Sequence, residues 1–528
     1  MADYIVSEND ISLLKQRNRE SFVKIEFLNE QLIPLCDITG DVISGHYSFD
    51  SASDIRKTAS LEINIQDCQI DINNQLLLTS CLRIWVGFYS FAENQIKYYN
   101  EGIYIFDSVN SSYDLSTNKL SLSCIDYIAN FDIEHKGSLI NGNGTIGSAL
   151  LTLKAGENIR QSLINVITDF GIKDYQIEEM GTYYQTSVED NNKLPHDLEF
   201  KAGDSLLNLI VKLRDLYPSW EAYFDKNGVF ICRLIPTLES DDIMLPADTM
   251  NELVISENPS HSLKDIKNII NVWGKELEVD RYTDKVSTSS TSTTYNATFE
   301  SFTEANYVDN MIIGLKMPST NRSISNIRIN SLASKPILDY VTGTYVKAGT
   351  FYPYEIYLFK YSLSKNCFYY AGQYQVHGLA YLTANDPNDS INKENAIAGT
   401  ELLNYMREKY NCENISYTVN SDSPYCVEYV GELVKTCSGD DYSNIYYDSL
   451  ALYNADYELW KSSRVNDSIT LEMILVPWLD VNMKIEYKKQ NESTPHQYII
   501  KSIESDIGSC TMTITAMRFY NLYKNTEK

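Results

Sequence analysis

Along the first 130 residues, apolar and polar positions alternate with a period of two. Val23, Ile25 and Phe27 alternate with Lys24 and Glu26, and Leu61, Ile63 and Ile65 with Glu62 and Asn64. Shorter runs follow: RIWVGFY from Arg83, GIYIFDS from Gly102 and KLSLSCI from Lys119. Alternation with turn residues between the runs predicts an antiparallel sheet or barrel. The Asn141-Gly-Asn-Gly stretch is a punctuation point that ends this unit.

The pattern then changes period. Ile159, Leu163, Val166, Ile167 and Phe170 fit one helical face, with Gly171 as a stop. A second helix is predicted from Asp204 as N-cap, with Leu206, Leu209, Ile210, Leu213 and Leu216 as its stripe and Pro218 closing it. WEAYFDKNGVFICRLIP reads as a hairpin around Asp225-Lys-Asn-Gly, because Asn-Gly tolerates the positive φ of a tight turn. A strand is expected at Ile269-Ile-Asn-Val-Trp, followed by VSTSSTSTTYNATF, whose Ser and Thr content marks a linker or exposed loop.

Residues 300–390 are strand-like and rich in Tyr. A helix is predicted near 394–410, then a short strand, CVEYVGELV. The clearest helix follows: Tyr446, Leu450, Tyr453, Tyr457 and Trp460 recur at spacings of four and three, a seam expected to be buried against the C-terminal strands. After it Ile469, Leu471, Met473 and Leu475 alternate, and MKIEY, QYIIKSI and CTMTITAMRF continue as strands.

Composition bounds the function. A chain of 528 residues is too long for one ordinary core. Its 40 Tyr, against 17 Phe and 5 Trp, favour pleated strands and large subunit contacts. The net charge of -27 opposes a duplex-binding surface, which needs a positive footprint. Arg56-Lys57 is the one basic cluster of note, and two charges make no electrostatic stripe. No apolar run approaches a membrane span, and the N-terminus lacks a signal-peptide stretch, so the chain is expected to be made in a cytoplasm. Ten scattered cysteines without a C-x-x-C pair read as buried core residues.

No nucleophile, phosphate-loop or metalloprotease motif is present. The histidines at 46, 135, 196, 261, 377 and 496 show no metal-ligand spacing, and His196-Asp197 reads as a surface turn. Among 71 acidic residues no carboxylate pair stands out for glycoside cleavage. No catalytic, cofactor-binding or metal residue is therefore assigned, no cofactor is expected, and the chain is read as not an enzyme.

Three segments resemble bacteriophage tail baseplate hub proteins, the tail-associated structural proteins. They are DITGDVISGHYSFDSASDIRKTASLEINI at 37–65, FKAGDSLLNLIVKLRDLYPSWEAYFDKNGVFICRL at 200–234, and the run from CVEYVGELV through PWLDVN to KIEY at 426–487. Their order along the chain carries the resemblance. In the last, Pro477 breaks the ladder and Asp480 and Asn482 turn the chain.

The resemblance implies a mainly β fold with α+β parts. Residues 1–135 would form a first tube-type barrel and 145–250 a helix-hairpin domain. A second tube-type barrel would take 251–284 with 396–528, and 285–395 would be an inserted Tyr-rich β domain. It further implies a homotrimer whose two barrels per subunit make a pseudo-sixfold ring, joining the hexameric tail tube to the central spike in the virion. Its partners would be the tail tube protein, the spike, other baseplate or tail-tip proteins and the tape measure protein, with genomic DNA only in transit. Two rival expectations are a tail-associated lysin and a receptor- or glycan-binding tail protein acting through 285–395.

Overall fold

The computed structural model describes residues 6–16, 20–29, 31–39, 42–64, 81–107, 112–114, 116–117, 119–132, 150–180, 192–201, 203–236, 242–262, 265–288, 293–322, 324–439, 442–464 and 466–520. Ile65, Cys68, His135 and the Asn141–Gly144 turn lie outside them. The fold is mainly β, with 42% strand and 18% helix.

The alternating runs at the two ends of the chain meet in one sheet of fourteen strands. Its main path runs through Val254–Ser262, Asn466–Ile474, Thr511–Arg518 and His496–Asp506, then crosses to Val42–Asp50, Lys57–Asn64, Lys119–Asp126, Gln95–Phe106, Cys81–Ser90, Ser21–Leu28 and Pro34–Thr39. The crossing is an antiparallel pairing, His46 opposite Asp506 through Asp50 opposite Ser502. Period-two alternation puts one side of each strand indoors: Ile25, Phe49, Leu61, Val86 and Leu122 from the first half, and Ile469, Leu471, Ile500, Ile503 and Ile514 from the second, fill a single apolar core. Each such side chain, fully buried, contributes roughly 1.5–3 kcal/mol.

The helix-hairpin segment packs beside this sheet. Its helices are Ile159–Asp169 and Leu206–Arg214, and Leu163, Ile167, Leu209, Ile210 and Leu213 are buried in their shared core. The second helix is capped by Ser205, whose hydroxyl accepts from the Asn208 N–H, and not by Asp204. Asp204 is engaged in the preceding turn, where its carboxylate accepts from the Lys201 N–H at 2.8 Å.

Several expectations are corrected. Ile269–Glu276 pairs with Gln375–Thr383 and Val434–Cys437 in a separate four-stranded sheet, and the strand that 251–284 gives to the C-terminal half is Val254–Ser262. Ile269, Ile270 and Val272 are all buried, and the strand sits between its two partners inside that sheet. CVEYVGELV begins as a helical turn, Val427–Val430, which Gly431 ends at φ 76° before the strand Val434–Cys437. The Ser/Thr-rich stretch is framed by two paired strands, Val286–Ser287 and Thr294–Ala297. The inserted sheet of eight strands runs from Arg281–Thr283 to Cys367–Gly372, whereas Gln375–Thr383 belongs to the four-stranded sheet.

The predicted aromatic helix is Asp448–Ser462, but its seam is rotated. The buried side is Leu450, Ala451, Tyr453, Ala455 and Leu459, while Tyr446, Tyr457 and Trp460 are half-buried. It lies on Ile269–Glu276 and Gln375–Thr383 rather than on the C-terminal strands. Two glycines permit this close approach. A Cβ on Gly378 would stand 2.5 Å from the Leu452 nitrogen, and one on Gly274 2.6 Å from the Ile445 carbonyl oxygen. The small Ala451 and Ala455 face the sheet, so the larger rings turn aside.

Candidate functional site: a buried charge cluster and a polar sheet face

The three segments that resemble hub proteins come together in space. The hairpin Trp220–Phe224 and Phe230–Leu234 turns at Asp225–Gly228, where the Asp225 carboxylate accepts from the N–H groups of Asn227 and Val229. Gly228 sits at φ 88°, and a Cβ there would lie 2.6 Å from Leu32 and 2.9 Å from Ile103. The hairpin tip is therefore pressed onto the N-terminal half of the joined sheet. The Asn100 side chain holds it by donating to the Lys226 carbonyl.

Charges fix the hairpin from both sides. Arg56 pairs with Glu221 at 2.5 Å, both nearly excluded from solvent, and its guanidinium lies 4.0 Å from the Tyr223 ring centroid. Glu221 also accepts from Arg233 at 2.8 Å and from Asn482 at 2.8 Å. Lys57 donates to the Phe224 carbonyl at 3.1 Å. Lys226 donates to Glu101 at 3.1 Å and to the Pro477 carbonyl at 2.6 Å. Arg56 and Lys57 come from IRKTASLEI, Glu221 and Lys226 from the hairpin, and Asp480 and Asn482 from PWLDVN.

Burial and charge pull the carboxyls in opposite directions. Burial alone would raise Asp480, but Lys57, Arg56 and Lys226 together hold it below its ordinary value. Burial likewise opposes ionisation of Glu221, and the two arginines overcome it. At Glu101 burial wins and pushes the group up to about 7 against the pull of Lys226. Such a network is costly to half-break, because the orphaned partner stays buried. What it can do is lock three chain segments in one register.

The opposite, solvent side of the joined sheet is the second feature. One row across six strands reads Ser256, Glu472, Thr513, Glu504, Ser48 and Thr58; the next reads Thr511, Asp506, His46, Ser60 and Ser123. Between Val254–Ser262 and Lys119–Asp126 this face carries the carboxylates Asp50, Glu62, Glu472, Glu504 and Asp506 and one ammonium, Lys119. Strands of both halves line a 630 Å³ concavity on it. Small hydroxyls and acids make a smooth, negative surface.

His196, expected in a surface turn, is only 3% exposed. Its ring stacks on Tyr446 at 3.9 Å, and burial, with the Lys360 ammonium nearby, lowers its pKa to about 3. It is held neutral as a packing element. Among the described residues no group of three His, Cys, Asp or Glu side chains could hold a metal ion. No described helix is long and apolar enough to cross a membrane. Arg56-Lys57, set aside in the sequence as too small for nucleic acid, is the core of the cluster. The sequence hint to that role was two cations between apolar positions, Ile55 before the strand and Ala59 within it.

Comparison with known proteins adds the following. Residues 422–523 match the model of a domain of unknown function, DUF5048. No curated protein matches the chain. Among solved structures it is similar to a prophage MuSo2 tail protein from Shewanella oneidensis, with TM-score 0.44 and 8% identity over 95% of this chain and 100% of that one. It is similar to a tail protein from Neisseria meningitidis at TM-score 0.44 and 7% identity, over 95% and 98% of the two chains. A chain of the P2 virion baseplate in its activated conformation aligns over 96% of this chain and all of its own length, at TM-score 0.28 and 8% identity. A chain of the Francisella PdpA-VgrG complex is also similar, at TM-score 0.40 and 9% identity, over 97% of this chain and 54% of that one.

Proposed function

We propose that this chain is a structural, non-enzymatic hub subunit of a phage or phage-like tail. Three copies close into a ring that joins the hexameric tail tube to the central spike and lets DNA pass. The observation that carries this reading is the joined sheet. Two antiparallel halves from opposite ends of the chain share one core, and across their junction, from Asn466–Ile474 to Lys57–Asn64, they present a face of hydroxyls and carboxylates. Two such halves per chain, three times over, match six tube positions, and closed cyclic symmetry is the usual way to build such an assembly. The Arg56–Glu221–Asn482 network supports the reading by setting the helix-hairpin segment rigidly against both halves.

In this assembly the polar face lines the channel. A positive wall would bind phosphates by counterion release and hold the DNA. Five carboxylates against one lysine repel it at short range, since the Debye length at physiological salt is only about 8 Å. Native mass measurement of the purified chain tests the ring. The reading expects a trimer at tens of micromolar, and a closed dimer or tetramer would contradict it.

A further inference from the structure

On one side of the inserted sheet two cavities, of 200 and 500 Å³, share Gln373 and Tyr374 and so form one groove. Most tyrosines of this region are buried: Tyr357 is 0% exposed and Tyr361 2%. Three along the groove are not, namely Tyr374 at 67%, Tyr354 at 75% and Tyr282 at 51%. Tyr354 is held at φ 73°, a region that non-glycine residues rarely adopt, with its N–H bonded to the Met317 carbonyl at 2.7 Å. The backbone thus keeps a bulky ring in water at a conformational cost. At the other end the half-buried Trp273 stacks flat on His377 at 3.7 Å.

Between the rings the lining is polar and planar. Gln373, Gln375 and Asn411 supply amides and Glu413 a carboxylate, while the Asn414 amide donates to the His377 and Asp448 carbonyls. The floor is ordered: Asp448 accepts from the His377 N–H at 3.0 Å and from the Tyr370 hydroxyl at 3.1 Å. The lining carries the carboxylates Glu355 and Glu413 and the ammonium Lys316, with Glu413 also paired to Arg407 at 3.2 Å, so no positive patch offers itself to an anion.

We propose that this groove binds a neutral saccharide chain. A sugar ring has an apolar C–H face and a rim of hydroxyls, so it fits exposed aromatic faces flanked by amides and carboxylates. With one cation, Lys316, in the lining, the groove gives an anionic polymer little to bind. Tyr374 and Tyr354 are the stacking platforms, and the amides between Trp273 and Tyr374 read the hydroxyls. The proposal goes beyond the tail role and does not need it, because binding is a property of the isolated chain.

The test uses the full chain on an array of neutral hexose and N-acetylhexosamine oligosaccharides, with polyglycerol phosphate and DNA as anionic probes. The best neutral oligosaccharide is then titrated. Binding to at least one neutral oligosaccharide is expected, with Tyr374→Ala and Tyr354→Ala each lowering affinity about tenfold. Tyr429→Ala, an exposed ring outside the groove, should leave it unchanged. Thermal melting confirms that the variants are folded. The proposal is overturned if no neutral oligosaccharide binds at millimolar concentration, or if only the anionic probes bind. A folded double variant at 354 and 374 that binds like the parent overturns it equally.

Discussion

The joined sheet and the inserted sheet treat their two faces differently. In Lys57–Asn64 the burial alternates, with Ala59, Leu61 and Ile63 inside and Thr58, Ser60 and Glu62 outside. In Cys367–Gly372 every residue is buried, and Gln375–Thr383 of the adjoining four-stranded sheet is buried from its second residue onward. The first sheet keeps one wet face, on which small hydroxyls and carboxylates line the junction of its two halves. The central inserted strands Ile356–Ser362 and Cys367–Gly372 are covered on both faces, and the rings left in water nearby, Tyr354 and Tyr374, stand at turns beyond strand ends. A long one-sided sheet suits a wall past which something moves, whereas exposed rings on a rigid, doubly covered frame suit a contact that holds.

The sharpest way to break this arrangement is to unlock the charge cluster that braces the one-sided sheet. Glu221→Ala leaves Arg56 and Arg233 without their shared carboxylate and should cost about 3–5 kcal/mol in urea unfolding. A loss under about 1 kcal/mol would mean that the hairpin is not held by these charges.

The covered sheet is attacked through its glycine. Gly378→Ala drives a methyl into the backbone of the Asp448–Ser462 helix and should cost about 1–3 kcal/mol. The same experiment on the joined sheet, at an outward serine such as Ser60, should be nearly silent.

A pH series distinguishes the two regions further. Burial pushes Asp448, beneath the covered sheet, up to about 7, with Asp339 adding to the rise and His377 and Tyr370 opposing it. The folded chain therefore keeps this proton while the unfolded chain loses it near 3.8. Stability falls as pH rises between those values, with a slope of up to about 1.4 kcal/mol per unit from this group. Asp448→Asn should remove that part of the slope, as read by denaturant midpoints from pH 4 to 8.

The smallest effect on folding is expected on the wet face. Thr513→Lys and Ser48→Lys should each change stability by no more than about 0.5 kcal/mol. In assembled particles, however, they should slow DNA release in a salt-dependent way.

Much of this contrast was legible in the sequence. Period-two alternation placed Val23–Phe27, Leu61–Ile63 and Ile469–Leu475 on one-sided strands, because solvent on one face forces polar residues onto every second position. What alternation cannot carry is partner choice. Ile269-Ile-Asn-Val shows no period-two alternation, and its partners lie more than a hundred residues away. The rotated seam of the Asp448–Ser462 helix escaped for a related reason: Gly274 and Gly378 decide which side of the helix approaches, and they lie on other strands. Arg56-Lys57 read only as a small basic cluster and Asp480 as a turn residue, since nothing local marks a charge as buried when its counter-charge comes from another segment. The strained Tyr354 was equally hidden, because φ is not written in residue type except at glycine.

The central claim is that the joined sheet is the wall of a threefold tail channel. Electron cryo-microscopy of particles carrying the chain tests it most directly. The account predicts three copies around a central channel at the tail tip, with Ser48, Thr513 and Glu504 facing the lumen and acidic side chains outnumbering basic ones there. A lumen lined mainly by Lys and Arg, or copies placed around the periphery with this face turned outward, would contradict it.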